Sequence, residues 1–181
     1  MKNVKRFLFA ALVVALFSEF AQAQKLPGLD ESPADIAYLR QNGKGTAAVA
    51  KVIYGRPSKK GRTILGGQDP YGKLWRLGAN ETTEIKLFKD VTFGDKKIPA
   101  GTYSLYAIPT AAEWTFVFNS KLDTWGPYEY DESKDVARVK VPAGKSESEV
   151  ETFTIFFDGG NGTANMNVAF ENTLVKLPVK Y

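Results

Sequence analysis

Arg56, Lys59, Lys60, Arg62, Lys73 and Arg76 place six cations within 21 residues, and the same stretch carries Tyr71 and Trp75 and runs on to Asn80 and Glu81. A guanidinium grips a carboxylate or phosphate through two parallel hydrogen bonds. Flat tyrosine and tryptophan faces stack on sugar rings or on Arg. These are the ingredients of a polar ligand site carried on loops. In that reading Tyr71, Trp75 and, from a second aromatic loop, Tyr128 stack on the ligand. Arg76 clamps an anionic group with Arg56 and Arg62 nearby, and Asn80 and Glu81 orient it. The same residue types also serve structure. A buried Arg76–Glu81 pair beneath Trp75 would anchor a long loop, and the run from Arg56 to Arg62 also reads as a solvated turn. Trp125-Gly126-Pro127-Tyr128 is either a second wall of the cleft or a plug over one end of the fold. Trp114 shares a face with Phe116 and Phe118 and belongs to the core.

The carboxylates offer a different chemistry. Glu81 with Glu84, or Asp131, Glu132 and Asp135, supply acid/base pairs of the kind that cleave glycosides, and Tyr with Arg or Lys supports β-elimination of uronic-acid polysaccharides. The chain contains no His and no Cys. That excludes a Ser-His-Asp triad, a Cys-His pair and an imidazole proton shuttle, along with zinc, haem, copper and iron–sulfur sites of the usual kinds. No cofactor and no metal are expected. Asp158-Gly159-Gly160-Asn161-Gly162 is a turn that lacks the alternating oxygen ligands of a calcium loop. The sequence holds no P-loop, dinucleotide turn or nucleophile elbow.

The N-terminus reads as a targeting segment. Lys2, Lys5 and Arg6 precede an unbroken apolar run from Phe7 to Phe17, which as a helix rises only about 16 Å, too short to cross a bilayer. Ala21-Gln22-Ala23 fits the small-x-small rule of signal peptidase, so residues 1–23 are expected to be a signal peptide cleaved after Ala23. With no Cys to carry a lipid, the product is expected in the periplasm or outside the cell, without a transmembrane segment. Removing Lys2, Lys5, Arg6 and Glu19 lowers the net charge from +4 to +2, too little to argue for nucleic acid as a partner.

These residues need elements to hold them. Short alternating apolar runs separated by Gly and Pro predict eight or nine strands: 46–54, around 85–87, 91–93, 102–108, 114–118, 136–141, 153–157, 164–170 and 175–179. The expected fold is all-β, a single β-sandwich of jelly-roll type spanning 46–181. Residues 24–45 are expected to hold a tail and a short helix, capped at Ser32 and Pro33, with Ile36 and Leu39 on one face and Gly43 as its stop. Between Tyr54 and Glu84 the alternation lapses.

Tyr54-Gly55-Arg56-Pro57-Ser58-Lys59-Lys60-Gly61-Arg62 and the run Pro70 to Glu84, together with Pro99 to Pro109, Trp125 to Asp131 and Asp135 to Val139, resemble the bacterial "domain of unknown function 2911" family over nearly the whole mature chain. The resemblance implies exported, β-rich proteins, common in Bacteroidota, with no established activity. Gly67-Gln68-Asp69 and Phe170 depart from that pattern, which tends to an apolar stretch and a Trp there.

The sequence therefore points first to a noncatalytic envelope module that binds a carbohydrate or an anionic group. A His-free glycoside hydrolase or polysaccharide lyase is the alternative. A structural envelope protein with a protein partner is a third.

Overall fold

A computed structural model describes residues 25–181. The expected signal peptide, residues 1–23, lies outside the described residues. The chain divides at Asp30/Glu31 into two units, and residues 25–30 of the first carry no regular secondary structure.

The second unit is all-β. Its strands are β1 (Ala34–Arg40), β2 (Ala48–Gly55), β3 (Ala79–Leu87), β4 (Val91–Phe93), β5 (Lys96–Ile98), β6 (Gly101–Pro109), β7 (Glu113–Asn119), β8 (Asp135–Gly160) and β9 (Thr163–Lys180). They form one antiparallel sheet in the order β1-β2-β3-β6-β7-β8-β9-β4-β5. The order is mainly that of a meander, because short turns join most sequence neighbours, whereas a jelly roll interleaves strands far apart in sequence.

β8 turns this sheet into two layers. Residues 135–142 pair with β7 and residues 143–160 pair with β9, and the β8–β9 ladder slips between Lys145 and Val150 and again before Thr154. Such irregularities bend a strand and let it serve both layers. Phe153 from the second half of β8 meets Tyr54 of β2 edge-on at 5.5 Å, and Phe93 of β4 meets Phe118 of β7 at 4.9 Å. One continuous apolar cluster fills the space between. Trp114, Phe116 and Phe118 all lie in it, as their period of two requires.

The expected helix at the start of the unit is instead strand β1. Asp35, Ala37 and Leu39 turn inward while Ile36 and Tyr38 stay exposed, and all seven residues pair with β2, from Ala34↔Gly55 to Arg40↔Ala48. Ile36 and Leu39 satisfy helical spacing, but an isolated seven-residue helix is unstable, and the free edge of β2 supplies backbone partners that a helix would forgo.

The face of the sheet opposite the core positions the site. The pairs Ile36↔Ile53, Ile53↔Glu84, Glu84↔Ser104 and Ser104↔Asn119 set these side chains in one row across β1, β2, β3, β6 and β7. Two residues further along β2 than Ile53, β2 and β3 approach so closely that a Cβ on Gly55 would sit 2.0 Å from the Ala79 carbonyl oxygen. Only glycine permits this contact, which fixes where Asn80 begins the wall of a pocket.

Candidate functional site: an acidic pocket beside an aromatic pair

The irregular segment 56–78 lies against the core through its own aromatic and basic residues. Trp75 is 4% exposed. Its backbone exchanges both hydrogen bonds with Ala107 of β6, at 2.8 and 3.0 Å, and its ring meets Trp114 at 5.8 Å and Phe153 at 5.2 Å. Arg56 donates to the Asp35 carboxylate at 2.9 Å, the Phe153 carbonyl at 3.2 Å and the Thr154 hydroxyl at 3.0 Å, tying β1 to β8. Arg62 donates to the Lys59 and Ser58 carbonyls, each at 2.9 Å, and to Gln68 at 3.0 Å. Glu171 accepts the backbone N–H groups of Ile64 and Leu65 at 2.8 and 3.0 Å, so its carboxylate holds the loop from the other side.

The segment after β7 folds back over the outer face of the sheet. Thr82 donates its only hydroxyl proton to the Gly126 carbonyl at 3.0 Å. The Thr82–Thr124 contact at 2.9 Å must then use the Thr124 proton, and the Tyr106–Thr124 contact at 2.9 Å the Tyr106 proton. A directed relay thus runs from Tyr106 through Thr124 and Thr82 to Gly126. Ser104 donates to the Lys121 carbonyl at 2.7 Å, and Asn119 to the Asp131 carbonyl and the Asp135 carboxylate, both at 2.8 Å. Tyr130 donates to Asp135 at 2.7 Å, and Arg138 bonds both. Burial, aided by that hydrogen bond to Asp135, pushes the Tyr130 hydroxyl up to about 12. The Ser133 hydroxyl and N–H hold the Asp131 carboxyl below its usual range.

Under this segment is a cavity of about 270 Å³. It is lined by Ser32, Ala34, Ile53, Tyr54, Gly55, Asn80, Glu81, Thr82, Glu84, Ser104, Asp123 and Thr124. Three of these are carboxylates. No Lys or Arg lines it among the described residues, and neither Glu81, Glu84 nor Asp123 has an ion-pair partner there. Two non-glycine residues of the lining sit in the left-handed region, Asn80 at φ 62° and Asp123 at φ 58°. Such conformations persist only where the surrounding contacts impose them. For Asn80 one contact is the hydrogen bond that its carbonyl accepts from Arg76 at 2.6 Å.

Beside the cavity stands an aromatic pair. Trp125 and Tyr128 are 55% and 74% exposed, and their rings stack 5.8 Å apart at an interplanar angle of 16°. Arg76 lies over the Trp125 ring, 4.9 Å from its centroid. The pair is tied to the cavity's wall without lining it: Trp125 follows Thr124, Thr82 holds Gly126, and Arg76 joins Trp125 to Asn80.

Of the residues expected at a site, Asn80 and Glu81 line the cavity, Tyr128 stands in the exposed pair, and Arg76 supports both. The Arg76–Glu81 pair is not formed; Arg76 is turned to the Asn80 carbonyl and the Trp125 ring. Trp75 is a core residue rather than a stacking platform, since its ring completes the cluster around Phe153. Arg56 and Arg62 spend their donors on the fold. Tyr71 is half exposed with its ring against Gly66 and does not line the cavity. The Trp125–Tyr128 loop adjoins the cavity through Thr124 and the Thr82–Gly126 hydrogen bond without lining it. Asp123, Thr82, Thr124 and Ser104 escape sequence reasoning, since they carry no pattern of their own. Glu84 carries a signal, its place on the polar face of β3 two residues before Lys86.

Among the described residues no group of three His, Cys, Asp or Glu side chains could hold a metal ion, and no helix is long and apolar enough to cross a membrane. A search of curated proteins and a search of solved structures each returned no match. The family model "Protein of unknown function (DUF2911)" matches residues 34–179, from the first residue of β1 to the penultimate residue of β9. That span contains all but the last residue of the sheet and all but one residue of the cavity lining. The chain belongs to the DUF2911 family.

Proposed function

We propose that this protein is an exported, noncatalytic binding module for a carbohydrate, and that the cavity with its aromatic pair is the binding site. The observation that carries this reading is the stacked, exposed Trp125–Tyr128 pair fixed to the wall of a cavity rich in hydrogen-bonding groups. Sugar rings present an apolar face to an aromatic ring and a rim of hydroxyls to carboxylates and amides, and this site offers both. Asn80, Glu81 and Glu84 supply the polar contacts. An anionic ligand draws no support, because Arg56, Arg62 and Arg76 are engaged and the lining is acidic. Export to the periplasm or beyond rests on the charged, apolar and small-x-small regions of residues 1–23. Calorimetry of the mature protein against a panel of oligosaccharides tests the reading. Trp125→Ala and Tyr128→Ala should each weaken binding tenfold or more, about 1.4 kcal/mol, with melting unchanged. A wild-type protein that binds no member of the panel sinks the proposal.

One observation favours an enzyme as the second reading. Glu81, Glu84 and Asp123 open on one cavity and are not consumed by ion pairs, the disposition that acid/base cleavage of a glycoside needs. Release of chromophore from aryl glycosides by the wild type, abolished in Glu84→Gln, would establish it.

A further inference from the structure

The charge of the lining points to the ligand's charge. We propose that the ligand is an amine-bearing saccharide whose ammonium groups sit among Glu81, Glu84 and Asp123 while its ring lies on Trp125 and Tyr128. This rests on the carbohydrate reading above and narrows it to one substrate class.

Three carboxylate residues, Glu81 and Asp123 exposed and Glu84 half-buried, line a partly open space with no cation in the lining among the described residues. A neutral sugar that covered them would strip water from the charges and return only hydroxyl hydrogen bonds, which leaves the desolvation cost largely uncompensated. An anionic sugar would add like-charge repulsion at short range, where solvent screening is weakest. An ammonium supplies the missing countercharge and up to three donors to the carboxylate oxygens. The aromatic pair works in the same direction, since its π-faces attract cations as well as apolar ring faces. Arg76 already covers the Trp125 ring from one position, so Tyr128, the more exposed partner, is the ring open to the ligand's charge. The surface contains a contrasting basic depression, lined by Asp95, Lys96, Ile108, Thr115, Arg138 and Lys140. There Lys96, Arg138 and Lys140 are each paired with a carboxylate, at 3.0, 2.8 and 3.2 Å. That site is charge-compensated, whereas the acidic cavity is not.

The test uses three oligosaccharides of equal length: glucosamine oligomers, their fully N-acetylated counterparts, and oligogalacturonate. Binding to the mature protein is measured by calorimetry at mildly acidic pH, where the amines are protonated, at low and at high salt. Glucosamine oligomers should bind at least about tenfold more tightly than the acetylated form, and added salt should reduce the difference. Glu84→Gln and Asp123→Asn should each erase most of that preference, and Trp125→Ala should weaken binding of both forms. Equal or tighter binding of the acetylated or uronate oligomers overturns the amine proposal and leaves the carbohydrate reading standing. Glucosamine binding that persists in Trp125→Ala overturns the placement at this site. Binding of none of the three overturns the amine proposal, and silence across the wider panel removes the carbohydrate reading as well.

Discussion

Two tryptophans in polar stretches of sequence have opposite roles. Trp75 and Trp125 each stand next to a residue with a flexible or charged side-chain environment, Leu74-Trp75-Arg76 and Thr124-Trp125-Gly126. Trp75 docks by its backbone onto Ala107 and packs against two core aromatics, whereas Trp125 keeps half its surface and stacks on Tyr128. Trp75→Ala should therefore cost about 3–5 kcal/mol of stability, the range for deleting a buried aromatic ring. Trp125→Ala should stay within about 0.5 kcal/mol of wild type. Urea unfolding of the two variants separates these outcomes, and equal losses would contradict the assignment of Trp125 to the surface. Glu81 shows a similar contrast. The sequence allowed it to pair with Arg76, but Glu81 stays exposed on β3 while Arg76 turns back to the Asn80 carbonyl. Side-chain direction in a strand alternates, so a partner one turn of loop away is out of reach unless the phase agrees.

At the scale of elements, the irregular segment 56–78 keeps one conformation because other elements satisfy its backbone. Arg56 reaches β8, Trp75 pairs with β6, and Glu171, a non-glycine residue at φ 53°, presents both carboxylate oxygens to the Ile64 and Leu65 N–H groups. Hydrogen bonds to a charged acceptor contribute about 1.5–3 kcal/mol. Glu171→Gln should loosen this loop locally, with amide exchange of Ile64 and Leu65 accelerated about tenfold or more while β6 and β7 keep their protection. Uniform acceleration across the sheet would mean that the carboxylate supports the whole fold instead. The short edge strand β5 carries Lys96 and Lys97 on its exposed positions, which discourages pairing with a second sheet. β8 and β9 run 26 and 18 residues where alternation alone suggested two short strands apiece. The polar stretch from Lys145 to Glu151 hides the continuity, since a bulged, solvent-facing strand has no apolar period to read.

For the molecule as a whole, β8 belongs to both layers, so one continuous strand couples them through its two halves. The core is likewise one cluster drawn from every strand. The protein should unfold in a single transition, with calorimetric and van't Hoff enthalpies equal; two resolved transitions would show that the layers fold separately. No disulfide assists, so burial of that cluster carries the stability.

The sequence by itself determined the β class, most strand positions, the aromatic core face of β7 and the family, because period-two alternation and Gly/Pro punctuation are local properties. It also singled out Asn80 and Glu81, which line the cavity, and Tyr128, which stands in the exposed aromatic pair. It did not determine that Trp75 is core, that the cations of 56–76 serve the loop, that the N-terminal segment is a strand, or that Asp123, Ser104 and Glu84 meet around one cavity. Each of those depends on a partner distant in the chain: β2 for the N-terminal strand, Ala107 and Phe153 for Trp75, and the strand row from Ile53 to Ser104 for the cavity. Only the tertiary structure could decide them, because strand pairing brings together residues whose separation in sequence carries no local signal.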